Sequence, residues 1–312
     1  MKHFVTLLFS VLTFFYCAAQ TASDYYKKAL DLTEKKNYKE ALVQIENAIK
    51  LDGKNLEYFF LKGNLLSQAR KFSDAYDVFT AAINLEPKNP EVYINRGIFF
   101  YSIQQFDDAV KDYTTGLEYA TADSMKIKLL INRSASYSLN RDFKEAYNDL
   151  MLISKIEPDN IEMLNNLATI CDELGKGEET IKYLERILEL KPDFIGAYIN
   201  LGFKYQLMGD YQKSISYFDK AQQMKPDEPL IYSNRSYSKL KAGDIKGAHA
   251  DIKKAISIYP DNPYAYRNRA LIYIEENKME LACKDFQTAL DYGFGKMYGN
   301  EVKELKEKYC GK

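Results

Sequence analysis

The chain has 312 residues, 46% of them apolar and 28% charged, with 43 Lys and Arg against 44 Asp and Glu and a net charge of −1. That balance offers no basic stripe to displace counterions from a nucleic acid and no polybasic surface for an anionic membrane. Two His (His3 and His249) and no Trp leave almost nothing from which to build a His-rich metal site or a His-centred triad, whereas 26 Tyr call for an architectural account.

Residues 1–19 read as a signal peptide. Lys2 supplies the positive start, Phe4 to Tyr16 form a nearly unbroken apolar run, and Cys17 and Ala19 place small residues before a cut at Gln20. The run is short for a membrane span, which takes about 20 apolar residues. A retained anchor helix and a lipidated Cys17 are the alternatives, although bulky Phe14, Phe15 and Tyr16 depart from the small residues that precede a lipidated Cys. The expected location is therefore periplasmic or extracellular, with no integral span in the mature chain.

From residue 22 onward one motif repeats. Ala41, Ala75, Ala109, Ala146, Ala248 and Ala282 are separated by 34, 34, 37, 102 and 34 residues, and Thr180 and Ser214 fill the two places that the 102 requires. The repeats are 22–55, 56–89, 90–123, 127–160, 161–194, 195–228, 229–262 and 263–296, with Ser124 to Lys126 as an insert that accounts for the 37.

Each repeat carries two apolar stripes of helical period, such as Phe59, Gly63 and Leu66 followed by Ala75, Phe79 and Ala82. Turn residues such as Lys36-Asn37, Gly209-Asp210 and Gly243-Asp244 separate the two helices. Repeats end in Pro and often Asn, as in Pro87-Lys88-Asn89, Pro158-Asp159-Asn160 and Pro260-Asp261-Asn262. Pro90, Pro229 and Pro263 then stand in the first turn of the next helix, where the missing N–H does no harm.

A 34-residue helix–turn–helix with Tyr93, Gly97, Phe100, Ala109, Tyr113 and a terminal Pro resembles the tetratricopeptide repeat, and the resemblance covers residues 22–296. Tyr25, Tyr93, Tyr198, Tyr232 and Tyr266 stand where the family often has Trp. The resemblance implies an all-α fold: a right-handed α-solenoid of stacked helix-turn-helix units, closed by a C-terminal capping helix over 297–312. Small residues (Gly63, Gly97, Ser134, Ala168, Gly202, Ser236, Ala270) would let the two helices of a repeat approach closely, facing Ala41 and its equivalents. The fifth repeat, with Leu164, Ala168, Cys171 and Thr180 all smaller than usual and Gly177 in its turn, is expected to be locally weak.

Four repeats pair Arg at the seventh place with Asp at the twenty-third: Arg96 with Asp112, Arg133 with Asp149, Arg235 with Asp251 and Arg269 with Asp285. These places fall on facing helices, which predicts an Arg–Asp pair inside each repeat. An Arg row for anionic ligands is the alternative, which the Asp partners would neutralise. Asn95, Asn132, Asn166, Asn200, Asn234 and Asn268 form a further polar row, and in the family this Asn commonly bonds neighbouring backbone.

The family's first helices line the concave surface. Its groove-facing places here hold Phe60, Asn64, Ile94, Ile98, Tyr101, Ile131, Ile199, Phe203, Tyr237 and Leu271, with Asn165, Gln206, Arg267 and Glu275 as polar punctuation. The resemblance thus implies an apolar groove for a protein or an extended peptide, unless some of these side chains pack between repeats. Family members that clamp the acidic tail of heat-shock chaperones need two Lys, two Asn and an Arg. Asn64, Asn95 and Lys128 match, but Phe60 and Asn132 break the set, so that activity is not implied here.

Three Cys lie beyond the signal. Cys171 reads as a small buried residue. Cys283 and Cys310 are a candidate disulfide if their Cα atoms lie within about 7 Å; the ending with ACKDF and YC resembles that of other exported members of the family. Val302, Leu305 and Tyr309 form one stripe, as a capping helix requires. His249 reads as solvated or half-buried, and Glu178-Glu179 as a solvated helix start. There is no HExxH, CxxC or P-loop. The expected function is a non-enzymatic, exported interaction scaffold with no cofactor or metal, and the alternative is a small-molecule or glycan receptor using groove Tyr rings.

Overall fold

A computed structural model describes residues 20–311, so the signal-peptide reading lies outside the described residues. Eighteen helices and no strand occur among the described residues. Chain contacts divide the protein into two compact halves, one up to Asn140 and one from Arg141. The division falls in the turn of the fourth repeat rather than in the fifth.

The N-terminal half runs α1 (Ala22–Glu34), α2 (Tyr38–Leu51), α3 (Leu56–Gln68), α4 (Phe72–Leu85), α5 (Pro90–Ser102), α6 (Phe106–Tyr119) and α7 (Asp123–Leu139). α1, α3 and α5 each pack on the even helix that follows, and α2, α4 and α6 pack on the next repeat's first helix. The fourth repeat absorbs its insert by lengthening α7 to 17 residues, where the other first helices have 13.

The C-terminal half holds α8 (Phe143–Ile156), α9 (Ile161–Glu173), α10 (Gly177–Leu190), α11 (Ile195–Leu207), α12 (Tyr211–Met224), α13 (Pro229–Lys241), α14 (Ile245–Ile258), α15 (Pro263–Glu275), α16 (Met279–Asp291), α17 (Phe294–Tyr298) and α18 (Glu301–Cys310). In the fifth repeat Leu164, Leu167, Ala168 and Cys171 are all buried.

Helix starts follow the capping chemistry of the sequence. Asn55, Asn89, Asn160 and Asn262 each accept a bond from a backbone N–H of the first turn, and Asn37, Asp210 and Asp244 do the same for second helices. The turn between the two helices uses a left-handed residue at the fifteenth place of every repeat. Gly175, Gly209 and Gly243 supply it in three; Lys36, Arg70, Gln104, Arg141 and Asn277 adopt it with φ between 56° and 63°.

The close approach of paired helices rests on a reciprocal volume rule. A Cβ added at Gly63 would stand 2.5 Å from the Phe79 ring, and one at Gly202 would stand 2.9 Å from Phe218. The small eighth residue thus faces the ring at the twenty-fourth place, not only the alanine row. Where a hydroxyl replaces that alanine, it finds a backbone acceptor: Thr180 donates to the Ala168 carbonyl at 3.2 Å and Ser214 to Gly202 at 2.7 Å. The tyrosine excess has a related cause. Tyr93, Tyr198 and Tyr232 donate to the carbonyls of Pro87, Pro192 and Pro226, six residues back, at 2.8, 3.1 and 2.8 Å. Each phenol thereby ties a first helix to the proline that ends the preceding repeat.

The C-terminal cap is two helices rather than one. Phe294 of α17 and Val302 of α18 are fully buried against Ala270, Ala282, Phe286 and Ala289, with Leu305 partly buried beside them. Tyr309 is half-buried under the Lys308 ammonium, 4.9 Å from the ring centroid. Cys283 and Cys310 form a disulfide with Cα atoms 5.7 Å apart, tying α18 to α16.

Candidate functional site

The Arg–Asp pairs are built from the seventh and twenty-third places. Arg96 donates from Nε and Nη2 to both oxygens of Asp112 at 2.8 and 2.7 Å; Arg235 does so to Asp251 at 2.8 and 2.7 Å, and Arg269 to Asp285 at 2.7 and 2.8 Å. These bonds hold the Arg96 and Arg269 guanidinium groups above their ordinary range. Arg133 and Asp149 belong to different halves, and their pairing stays an expectation.

The arginines also reach the preceding repeat. Arg96 Nη1 donates to Thr80 at 3.2 Å, Arg133 Nη1 to Thr114 at 2.9 Å, and Arg235 Nη1 to Asp219 at 2.7 Å. All three acceptors occupy the twenty-fifth place. Lys253 holds that register in the repeat before Arg269, which makes only the Asp285 pair among the described bonds. Arg96, Arg235 and Arg269 are therefore staples across helices, occupied on the protein's own carboxylates.

The expected groove residues separate by register. At the ninth place Asn64 is exposed, Ile98 is 42% exposed and Phe203 is 40% exposed. Tyr237 and Leu271, at the same place, are half-buried. Phe60 and Ile94, at the fifth place, are buried in the N-terminal core, which corrects the expectation for both. First helices of neighbouring repeats also pack on one another in this half, α3 on α5 and α5 on α7, which leaves less of each first helix open. Ile131 and Ile199 are half-buried, as is Tyr101 against Phe106 with centroids 5.7 Å apart. Among the polar places, Gln206 and Arg267 are buried, Asn165 is half-buried and Glu275 is exposed. Gln206 donates to the Asn234 carbonyl at 2.9 Å and to Ser238 at 2.7 Å, which makes it a tie between repeats.

Two hollows flank these open positions, one in each half. In the N-terminal half, Tyr26, Glu57, Phe60, Leu61, Asn64, Glu91, Asn95 and Lys128 line a space of about 300 Å³. Lys128 makes no ion pair among the described residues and stands with two carboxylates and two amides. Sequence reasoning singled out Asn64, Asn95 and Lys128 but missed Tyr26, Glu57 and Glu91. The second place of each repeat, which holds both Glu, was the available signal. The Asn row itself bonds backbone: Asn95 and Asn132 donate to the carbonyls of Glu91 and Lys128 at 2.9 and 2.8 Å, and Asn268 donates to Ser233 in the preceding repeat at 2.9 Å.

In the C-terminal half, Phe203 rims a space of about 200 Å³ with Thr169, Asp172, Glu173, Asn200 and Lys204. Lys204 pairs with Asp172 across its floor. Both hollows combine hydrogen-bond donors and acceptors beside an apolar side chain, the mixture that a peptide backbone and its side chains require.

Cys171 is fully buried and outside the disulfide, and burial pushes its thiol up to about 11. His249 is half-buried, with Nε2 2.9 Å from Glu276. Glu178 and Glu179 stand in the first turn of α10. No group of three or more potential metal ligands occurs among the described residues, and none of the described helices is long and apolar enough to cross a membrane.

Comparisons with known proteins agree with this architecture. One tetratricopeptide-repeat profile matches residues 161–194 and 195–228, and a second matches 60–124 and 234–293, together more than half of the chain. No curated protein matches the sequence. Among solved structures, a tetratricopeptide repeat protein from Parabacteroides merdae is 18% identical with a TM-score of 0.53, over 93% of this chain and 98% of that one. The Cut9–Hcn1 hetero-tetramer of the APC/C is 14% identical with a TM-score of 0.58, over 91% of this chain but only 55% of that one. YrrB, described as a TPR protein with an unusual peptide-binding site, is 22% identical with a TM-score of 0.50, over 60% of this chain and 95% of that one. At these identities the structural likeness speaks to fold alone. The eight-fold register, the paired helices and the profile matches together make this chain a member of the tetratricopeptide repeat family.

Proposed function

We propose that this protein is an exported, non-enzymatic scaffold that binds a protein partner through an extended peptide segment laid on the first helices of its repeats. The observation that carries the reading is the exposure of Ile98 and Phe203 at one and the same repeat register, the Phe203 side chain beside a small polar hollow. Each is an exposed apolar side chain on a first helix of its own half, which suits contact with a side chain of an extended ligand. The hollow of about 200 Å³ beside Phe203 lies below the about 300–1,000 Å³ that a drug-sized molecule fills, and suits a single side chain. The YrrB relationship is consistent with peptide binding on this fold.

Export is supported by the leader-like pattern of residues 1–19 and by the Cys283–Cys310 disulfide, since such bonds persist in oxidising compartments. A random-peptide selection against residues 20–312 tests the binding reading. Selected peptides should lose about tenfold or more in affinity on Ile98→Glu or Phe203→Ala, a step of about 1.4 kcal/mol or more. They should be unaffected by Leu152→Glu, an exposed change on a second helix. Equal binding to all three variants would move the site elsewhere.

A further inference from the structure

Arg267 is a buried cation that the repeats themselves leave without a carboxylate. It stands at the fifth place of α15, and its side chain is 9% exposed. The guanidinium carbon lies 5.0 Å from the Tyr237 ring centroid and 5.4 Å from that of Tyr264, so aromatic groups flank it. Nη1 donates to Asn268 Oδ1 at 2.8 Å, and Asn268 is itself anchored on the Ser233 carbonyl. Nε is buried and has no acceptor. Arg235 and Arg269, by contrast, each hold a carboxylate with two parallel bonds from their own repeat.

The acid that Arg267 does meet comes from outside the repeats. Glu301, the first residue of α18, accepts from Nη2 through Oε1 while 45% of its side chain remains in solvent. It engages one edge of a fork made for two bonds and leaves Nε empty. The segment before it turns through Gly299 with φ +81°, and the far end of α18 is held by Cys310. Val302 beside it is fully buried, so the helix holds Glu301 near the site while its side chain, partly in solvent, has room to turn out into water.

We propose that Arg267, Tyr237, Tyr264 and Asn268 form a binding site for the carboxylate of an acidic side chain, and that Glu301 is its intramolecular occupant. An incoming carboxylate that bridges Nη2 and Nε makes two bonds where Glu301 makes one, and displaces it into water. The aromatic flanks favour an acid carried on an apolar stem. The site shares no residue with Ile98 or Phe203, and its test reads Arg267 alone.

Glutarate, which carries the glutamate side-chain acid on a methylene stem, is the probe. The chain from residue 20 to 312 is titrated as wild type and as Glu301→Gln at constant ionic strength, following the Nε–H resonance of Arg267 by NMR, assigned by its loss in Arg267→Lys. Glutarate should move that resonance in both chains, with an affinity about tenfold tighter in Glu301→Gln, as expected when an internal competitor leaves the site open about a tenth of the time. Glutaramide should leave it unmoved. The Arg235 and Arg269 resonances, locked on Asp251 and Asp285, report the fold in each chain, and Glu301→Ser serves as a second variant at the same exposed position. Equal affinity in wild type and variants, no movement in any chain, or equal movement of Arg235 and Arg269 would each overturn the proposal.

Discussion

Gly63 lies flat against the ring of Phe79, close enough that a Cβ at Gly63 would stand 2.5 Å from Cζ. The same fit recurs between Gly202 and Phe218. Repeats whose eighth residue is Ala168 or Ser236 carry Leu184 or Ile252 at the twenty-fourth place, all of them buried. Ala270 with Phe286 is the exception. Helix separation is therefore set by the sum of two side chains, one from each helix.

That fit makes Gly63→Ala destabilising even though alanine favours a helix. The gain in helix propensity is about 1 kcal/mol, and overpacking against a buried ring costs about 1–3 kcal/mol. Chemical denaturation should find Gly63→Ala less stable than wild type, and Gly63→Ala/Phe79→Leu more stable than Gly63→Ala alone. A single variant at or above wild-type stability would show that the helices can separate freely.

The left-handed turn at the fifteenth place gives a second test. Gln104 holds φ +62° without being glycine, a conformation that costs an ordinary residue about 1–2 kcal/mol. Gln104→Gly should therefore raise stability by up to about 1 kcal/mol, and Gly209→Ala should lower it by about the same. Nothing lies within 4 Å of the added Cβ at Gly209, so backbone strain alone decides the outcome.

The period of 34, the helix caps and the Arg and Asp places were legible because each depends on spacing within one repeat. The exposure of Ile98 against the burial of Ile94 was not, since which side of a first helix meets its neighbour depends on how repeats stack. The second partner of Arg235, Asp219, lies in the preceding repeat and was hidden for the same reason. The link from Arg267 to Glu301 was least legible of all. It depends on where the short α17 delivers α18, which no repeat register dictates.

Within the seventh repeat, Asp251 carries more than its pairing with Arg235. Lys239 Nζ lies 2.8 Å from Asp251 Oδ2, so one carboxylate with a side chain 7% exposed serves two cations. Asp251→Leu strands both and should cost about 3–5 kcal/mol. Arg235→Met leaves Asp251 with Lys239 and frees Asp219, which is half in solvent, so its loss should be smaller, about 1–3 kcal/mol. Urea midpoints of the two variants check the order; Arg235→Met as the worse of the two would contradict it.

The contact between His249 and Glu276 predicts a pH dependence. The hydrogen bond to His249 is the main cause that holds the Glu276 carboxyl below its usual value of 4.5, with Lys278 adding to it. A depressed acid contributes stability that is present above its unfolded value and lost as pH falls through its folded one. Glu276→Gln should therefore be less stable than wild type at pH 7, and the gap should close as pH falls below 4.5. Thermal midpoints at pH 7 and pH 3 measure the gap; a constant difference would mean that Glu276 acts through packing instead.

The disulfide and the remaining thiol should respond in opposite ways. Cys283 and Cys310 close a loop of 27 residues, and breaking it releases about 3–4 kcal/mol of unfolded-state entropy by the chain-entropy rule. Much of α18 is exposed, with Val302 its one fully buried side chain, so reduction should loosen the cap before the repeats. Hydrogen exchange after reduction should speed up in α17 and α18 and spare α9 to α12. Cys171, buried in α9 with its thiol raised to about 11, should resist alkylation at pH 8 in the folded chain, reduced or not, and react only on unfolding. Rapid alkylation of Cys171 on reduction alone would show that the cap and the fifth repeat open together.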